Sequence, residues 1–251
     1  MKTRNLENTL AIFKREFLSY FNSPVLYVIV VIYLLASMGF AFFFGGLLAR
    51  GDASLESFFV FQPWIFVVFV PAVGMRLWSE EHRLGTFELL MTFPVSPWQA
   101  ILGKFAAGAL IWAISLGLTF SVVFTMSWLG NPDPGPIISG YVGAYLYALG
   151  CLGITCAASS YTRSQVVCFI VSVFLCVLLT LIGWPQVADW MVKISPTWME
   201  SSVKFVQYTS FFGHFLELQK GVLAIQDVLY FLSVIAISLF VTDMGLRSKR
   251  G

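Results

Sequence analysis

Met75-Arg76-Leu77-Trp78-Ser79-Glu80-Glu81-His82-Arg83-Leu84-Gly85-Thr86-Phe87-Glu88-Leu89-Leu90-Met91-Thr92-Phe93-Pro94 is the most densely charged connection between the apolar runs of this chain. Apolar runs flank it on both sides, at about 58–78 and 99–129. Each is long enough to cross a hydrocarbon core of about 30 Å. The same contrast holds along the whole chain of 251 residues: 58% are hydrophobic and 11% charged, and the mean hydropathy is +0.83. A soluble domain carries about a quarter charged residues, so lipid must be the solvent here. The net charge of +2 leaves no electrostatic footprint for nucleic acid.

Working outward from that stretch, four further apolar runs at about 25–48, 138–160, 165–184 and 226–244 complete a set of six. The expectation is an all-α integral membrane protein, one domain over 1–251 with six transmembrane helices. Asn131-Pro132-Asp133-Pro134-Gly135-Pro136 marks the turn between the third and fourth spans, and Tyr161-Thr162-Arg163-Ser164 the one between the fourth and fifth. Basic residues set the orientation. One side receives Lys2, Arg4, Lys14, Arg15, Arg76, Arg83, Lys104, Arg163, Arg247, Lys249 and Arg250; the other receives Arg50, Lys193, Lys204 and Lys220. Both termini are therefore expected in the cytoplasm. The N-terminal region does not read as a cleavable signal, because Lys14-Arg15-Glu16 interrupts the place of an apolar core.

Ahead of the first span, Leu6, Leu10, Phe13, Phe17 and Phe21 recur at steps of four and three. They line one helical face, so residues 1–23 are expected to lie at the cytoplasmic membrane surface as an amphipathic helix. In the charged stretch, Gly85-Thr86 can open a short helix with Thr86 as cap, and Pro94 ends it. Ser96-Pro97-Trp98-Gln99 has the form of a capping box with proline at the first helical position. Residues 79–93 thus read as a short cytoplasmic helix between spans two and three, whose apolar Phe87, Leu89, Leu90 and Met91 need a partner surface. The segment 185–225 is too broken to cross a membrane and reads as short external helices. Ser195-Pro196 would start one, and Phe211, Phe215, Leu218 and Val222 form an apolar stripe. Asp227 is the expected N-cap of the last span.

Several chemistries are missing. No phosphate loop, GxSxG or HExxH motif occurs, so no catalytic residue is assigned. His82 and His214 fall on opposite sides of the membrane. Cys151, Cys156, Cys168 and Cys176 lack CxxC spacing and read as small packing residues, not as metal ligands. No acid or base sits deep within a span, where ion-coupled transporters place them, so energy for transport would have to come from a separate ATPase. Ala109, Ala113, Gly117 and Ser121 place a small residue at every fourth position of the third span, a seam for close helix packing within the chain or in a dimer. Ser115, Thr119 and Thr125 are expected to bond their own helix backbone.

The run from Met75 to Val95, followed by Gly103-Lys104, resembles the signature of ABC type-2 permeases. Its Met-Arg, paired acids, Gly-Thr-x-Glu-Leu-Leu, Thr-x-Pro turn and Gly-Lys follow in that order. Together with His214-Phe215-x-x-x-Gln219-Lys220-Gly221-Val222 and Asp227-x-x-Tyr230, the chain most resembles the gliding-motility-associated GldF branch. The resemblance implies a bacterial inner-membrane export permease that pairs with itself or a related permease and with two ATPase subunits. Those subunits would bind the ATP and Mg; this chain would hold no cofactor. A periplasmic-domain partner similar to GldG is also implied. By position, residues 79–93 would be the coupling helix: Glu80, Glu81, Arg83 and Glu88 supplying charged contacts, Phe87, Leu89 and Leu90 anchoring it, and Gly85 and Thr86 forming its joint. The alternative is a non-transporting membrane anchor that relays ATP hydrolysis to periplasmic partners.

Overall fold

The computed structural model describes residues 2–46, 54–86, 95–194 and 208–248, and the regular structure among them is helical throughout. The helices are α1 (Lys2–Phe21), α2 (Pro24–Gly39, prolonged by a π-helical turn Phe40–Phe44), α3 (Glu56–Gly74), α4 (Arg76–Leu84), α5 (Pro97–Leu118), α6 (Ser121–Leu129), α7 (Pro134–Tyr161), α8 (Gln165–Leu181), α9 (Pro185–Ile194), α10 (Phe211–Gln219) and α11 (Ile225–Ser248). Five stretches are long and apolar enough to cross a membrane: Pro24–Phe44, Glu56–Leu84, Pro97–Leu129, Pro134–Tyr161 and Ile225–Ser248. The fifth of the six expected spans is the weaker case. α8 has 17 residues, which at 1.5 Å per residue reach about 25 Å, short of a full core.

Local chemistry explains several helix starts. The capping box forms as expected: the Gln99 amide donates to Ser96 Oγ at 3.4 Å, and the Ser96 amide donates to Gln99 Oε1 at 3.0 Å. Asp133 Oδ1 accepts from the Gly135 amide at 3.0 Å to open α7. The hydroxyls of the third span bond backward as expected, Ser115 to the Ile111 carbonyl at 2.9 Å, Thr119 to Leu116 at 2.6 Å and Thr125 to Ser121 at 3.0 Å. At Thr119 this competition with the ladder coincides with the break between α5 and α6.

Three expectations are corrected. First, Ser79, Glu80, Glu81 and Arg83 do not start a separate helix: they belong to α4, which continues span two past a bend at Met75. Nothing between Met75 and Leu84 breaks a helix, and Leu77 and Trp78 are buried there. The stop comes at Gly85, which takes the left-handed conformation at φ 69° with its amide donating to the Glu81 carbonyl. Second, Asp227 is not an N-cap; it lies within the first turn of α11 with its side chain buried. Third, the stripe of α10 holds Phe211, Phe215 and Leu218 inside, but the helix ends at Gln219 and Val222 is exposed beyond it. The expected start at Ser195-Pro196 and the residues Phe87, Glu88, Leu89, Leu90, Met91, Thr92, Phe93 and Pro94 fall outside the described residues.

α7 is the hub. Gly140 lies against Phe59 of α3, Gly143 against Leu218 of α10 and Gly153 against Ser238 of α11. A continuous aromatic column crosses the interior, from Tyr33 on Phe66 (5.7 Å) to Tyr147 (6.2 Å from Phe66) and on to Phe211 (5.5 Å). Contacts order the two ends of the bundle. At one end lie α1, the close of α3 (Tyr20 hydroxyl to the Val73 carbonyl, 3.4 Å) and the close of α11 (Gly245 against Ser160 and Tyr161 of α7). At the other lie the start of α3 (Gln219 Nε2 to the Glu56 carbonyl, 3.0 Å) and α10. α1 and the close of α11 thus share one end.

Leu152 shows how tight the centre is. A methyl on Gly108 would meet its Cδ2 at 3.0 Å; one on Gly74 would meet its Cδ1 at 3.2 Å and Thr155 Cγ2 at 2.8 Å. Gly74→Val should therefore destabilise the fold by about 1–3 kcal/mol, read as a lowered thermal midpoint in detergent. Gly117→Val, at a position with nothing within 4 Å, should leave the midpoint within about 0.5 kcal/mol of wild type.

Candidate functional site

The charged stretch acquires its meaning from α1. The exposed or half-buried Leu6, Leu10, Phe13, Phe17 and Phe21 form the anticipated apolar face, with Phe13, Phe17 and Phe21 in ring contact along it. A second face was not anticipated. Ile12 and Tyr20 are buried, and Glu16 stands between them at the same four-residue step. That face lies along the start of α5. The approach is close because position 103 is glycine: a Cβ there would meet Ile12 Cγ2 at 3.0 Å and the Thr9 carbonyl at 3.1 Å.

The next residue, Lys104, is only 2% exposed. Its ammonium stands 3.0 Å from Glu16 Oε1 on α1 and 3.0 Å from Glu81 Oε1 on α4, with the Trp78 ring 5.2 Å away. Arg15 closes the cluster from the surface, 2.7 Å from Glu16 and 3.3 Å from Glu81. Two cations and two carboxylates balance. A buried ammonium would be prohibitive alone; two charged hydrogen-bond partners make it tolerable. One lysine thereby ties together the interfacial helix, the end of span two and the start of span three. Burial pushes the Glu16 carboxyl up, but Lys104 and Arg15 outweigh it and hold the group below the usual carboxylate range.

Beside the cluster lies a cleft of about 740 Å³ bounded by α1, α2 and α4, reaching Leu84 and Thr86 at the end of α4. Arg76 donates to Ser23 Oγ at 2.8 Å and pairs with Glu80 at 3.3 Å. Of the assigned docking residues, Glu81 is committed to the internal cluster, while Glu80 and the largely exposed Arg83 stay nearer the surface, 3.9 Å apart. Gly85 forms the joint at the end of α4. Among the seam positions, Ala109 and Ala113 are half-buried, and Gly117 and Ser121 are exposed. Close packing of span three within the chain instead uses Gly103 and Gly108.

The late motif also converges. His214 Nδ1 stands 2.6 Å from Asp227 Oδ1, its Nε2 donates to the Tyr208 carbonyl at 2.8 Å, and the Tyr230 ring stacks on it at 3.9 Å. This cluster lies at the end of the bundle opposite Lys104. All four cysteines are buried and free.

Residues 10–246 match the family described as "ABC-2 family transporter protein". The chain belongs to that family. A search of the curated proteins gave no match. As an ABC-2 chain it is a multi-pass membrane component, the permease part of an ABC transporter and not its ATPase, and the family implies ABC ATPase subunits as partners. The match supplies a context for Gly103-Lys104 in this ABC-2 chain: the glycine admits α1, and the lysine holds it.

The sequence alone could have revealed Glu16. It occupies the inward face marked by Ile12 and Tyr20, and an acid there demands a counter-ion. Lys104→Met should cost about 3–5 kcal/mol by leaving two largely buried carboxylates to share the half-exposed Arg15. The pH response should shift too. Glu16 is held low in the wild type, so its contribution is complete above the ordinary carboxylate value of about 4.3 and lost as pH falls through the lowered one. Burial holds the Glu81 carboxyl above its ordinary range despite Lys104, so the two acids oppose each other in the wild type; without the ammonium, acidification should strengthen Lys104→Met relative to the wild type, as thermal midpoints across pH will register.

Proposed function

We propose that this ABC-2 chain is the membrane subunit of an ATP-driven exporter in a bacterial inner membrane, and that residues 85–96 receive the work. The observation that carries the reading is that both roots of this segment are fixed to one another. Gly85 closes α4 and the Ser96–Gln99 box opens α5, while Lys104 of α5 grips Glu81 of α4 across the gap. A push on the segment from outside would then move spans two and three, with α1, as one body. Rigid-body movement of packed helices about an interface is the usual form of such transitions.

In this reading the Lys104 end faces the cytoplasm, in keeping with the excess of basic residues there, and both termini lie inside. α8 counts as the fifth of six spans: it leaves the Tyr161 end, bonds Tyr147 midway along α7 through Thr180, and is followed by Gly183 against Ser210 of the far end. Its exposed Val166, Ile170, Phe174 and Leu178 suit lipid. Two ATPase subunits would dock on the segment, binding ATP and Mg themselves. Phe87, Leu89 and Leu90 would anchor it, with Glu80, Arg83 and Glu88 as charged contacts; Glu81 serves the internal grip instead. A second permease chain would complete the path, and the exposed Gly117 and Ser121 suit a seam between chains. Placement in the GldF branch, with its link to gliding motility and a GldG-like partner, rests on the late motif.

The test is co-purification with the ABC ATPase from membranes. Leu90→Asp and Arg83→Glu should each reduce recovered ATPase by about tenfold, the scale of one lost interface contact of 1.4 kcal/mol, with insertion and thermal midpoint unchanged. Full recovery with both variants would remove the docking role.

A further inference from the structure

The cluster at the far end of the bundle sets a count of protons. A backbone carbonyl only accepts, so His214 Nε2 must carry a hydrogen to bond Tyr208 at 2.8 Å. Nδ1 lies 2.6 Å from Asp227 Oδ1, a separation that needs a hydrogen between the two atoms. Whether imidazolium faces carboxylate or neutral imidazole faces carboxylic acid, the pair holds one proton more than neutral histidine with ionised aspartate. Both side chains are more than nine-tenths buried, at 8% and 2% exposure. Asp227 Oδ2 has no partner among the described residues. Without the shared proton, two lone pairs would confront each other out of reach of water, a large penalty.

What the pair secures is the seat of α10. Ser210 caps the helix through the Gly213 amide at 3.1 Å. Just ahead of it, the Tyr208 and Thr209 carbonyls are held by His214 and by the Tyr230 hydroxyl. Phe211, Phe215 and Leu218 then insert between the helices, against Tyr147 and Gly143 of α7. Gly183, in the turn after α8, has room for no side chain, because Ser210 Oγ would lie 1.6 Å from its Cβ. α10 thus covers this end of the bundle, and its polar attachment to α11 runs through His214, beside ring contacts of Phe211 with Tyr230 and Phe231.

We infer that α10 is a proton-dependent latch: its seated position requires the hydrogen shared by His214 and Asp227, and loss of that hydrogen frees the helix from α11. The titratable and charged groups around the pair are few. From α11 come Asp227 and Tyr230, and from the preceding turn Tyr208. α7 contributes Tyr147, behind Phe211 and Phe215, with Cys151 and Cys176 beyond it; Glu56 of α3 faces α10 through its carbonyl. Lys220 and Glu217, on and just after α10, pair with each other at 2.6 Å. The seated state binds one proton more than a released state in which the imidazole is hydrated and neutral, so a rise in pH favours release. With one proton linked to seating, release should grow by about tenfold per pH unit where the released pair has lost it. The topology proposed above decides only which compartment the latch senses, here the periplasm.

The experiment is hydrogen exchange on the full chain in detergent, expressed as protection factors so that the intrinsic pH dependence of exchange cancels. Between about pH 6.5 and about pH 8.5, amides of α10 should lose protection by up to about a hundredfold, while those of α7 keep theirs. Asp227→Asn gives Nδ1 an amide donor that needs no extra proton, so its α10 should stay protected across the range. Unchanged α10 protection in the wild type, an equal loss across α7, or a wild-type slope in Asp227→Asn would each overturn the latch. Exchange is read without the ATPase, so failure here leaves the docking result intact, and the reverse holds too.

Discussion

A single buried ammonium organises the cytoplasmic half of the proposed machine. Lys104 is enclosed because glycine precedes it and lets α1 lie flat on α5, and it is stable there because Glu16 and Glu81 meet it from different helices. Each partner alone would leave an uncompensated charge, so the three helices assemble together. Such a pairing adds less net stability than an apolar core of the same volume, but it is far more selective about geometry. That selectivity suits a joint that must keep its angle while transmitting a load.

The two ends of the molecule solve the same problem in opposite ways. Around Lys104 the charges balance in fixed pairs, and Arg15 shields them from solvent. Around His214 the balance depends on one mobile hydrogen and on aromatic rings that keep water away. Between them runs an interior of stacked rings and glycine contacts, with few ionisable groups among the described residues.

Much of this was legible in the sequence. Composition declared the solvent, the Ser96–Gln99 box formed as its residues specify, and the hydroxyls of span three bonded backward as expected. The readings that missed share one cause: they judged residues along the chain, where the deciding partner was distant. Asp227 looked like a cap because aspartate before an apolar run usually is one; its partner was thirteen residues back. Glu80 and Glu81 looked alike, yet their side chains leave α4 in different directions, and only Glu81 meets Lys104. The break after span two was placed too early because charge suggests a loop, whereas a helix continues until a residue such as Gly85 stops it. The small-residue stripe divides, Ala109 packing against the core while Gly117 and Ser121 face outward, because periodicity shows that a face exists, not which neighbour it meets.

The enclosed cysteines carry a consequence of a different kind. Cys151, Cys156, Cys168 and Cys176 all have zero exposure and pack within the α7–α8 region. Since the thiolate is the reactive form and needs access, water-soluble alkylating reagents will pass the native chain by. One thiol placed on any exposed turn then becomes an unambiguous address, able to report from which face of a vesicle it can be reached without any native residue first being removed.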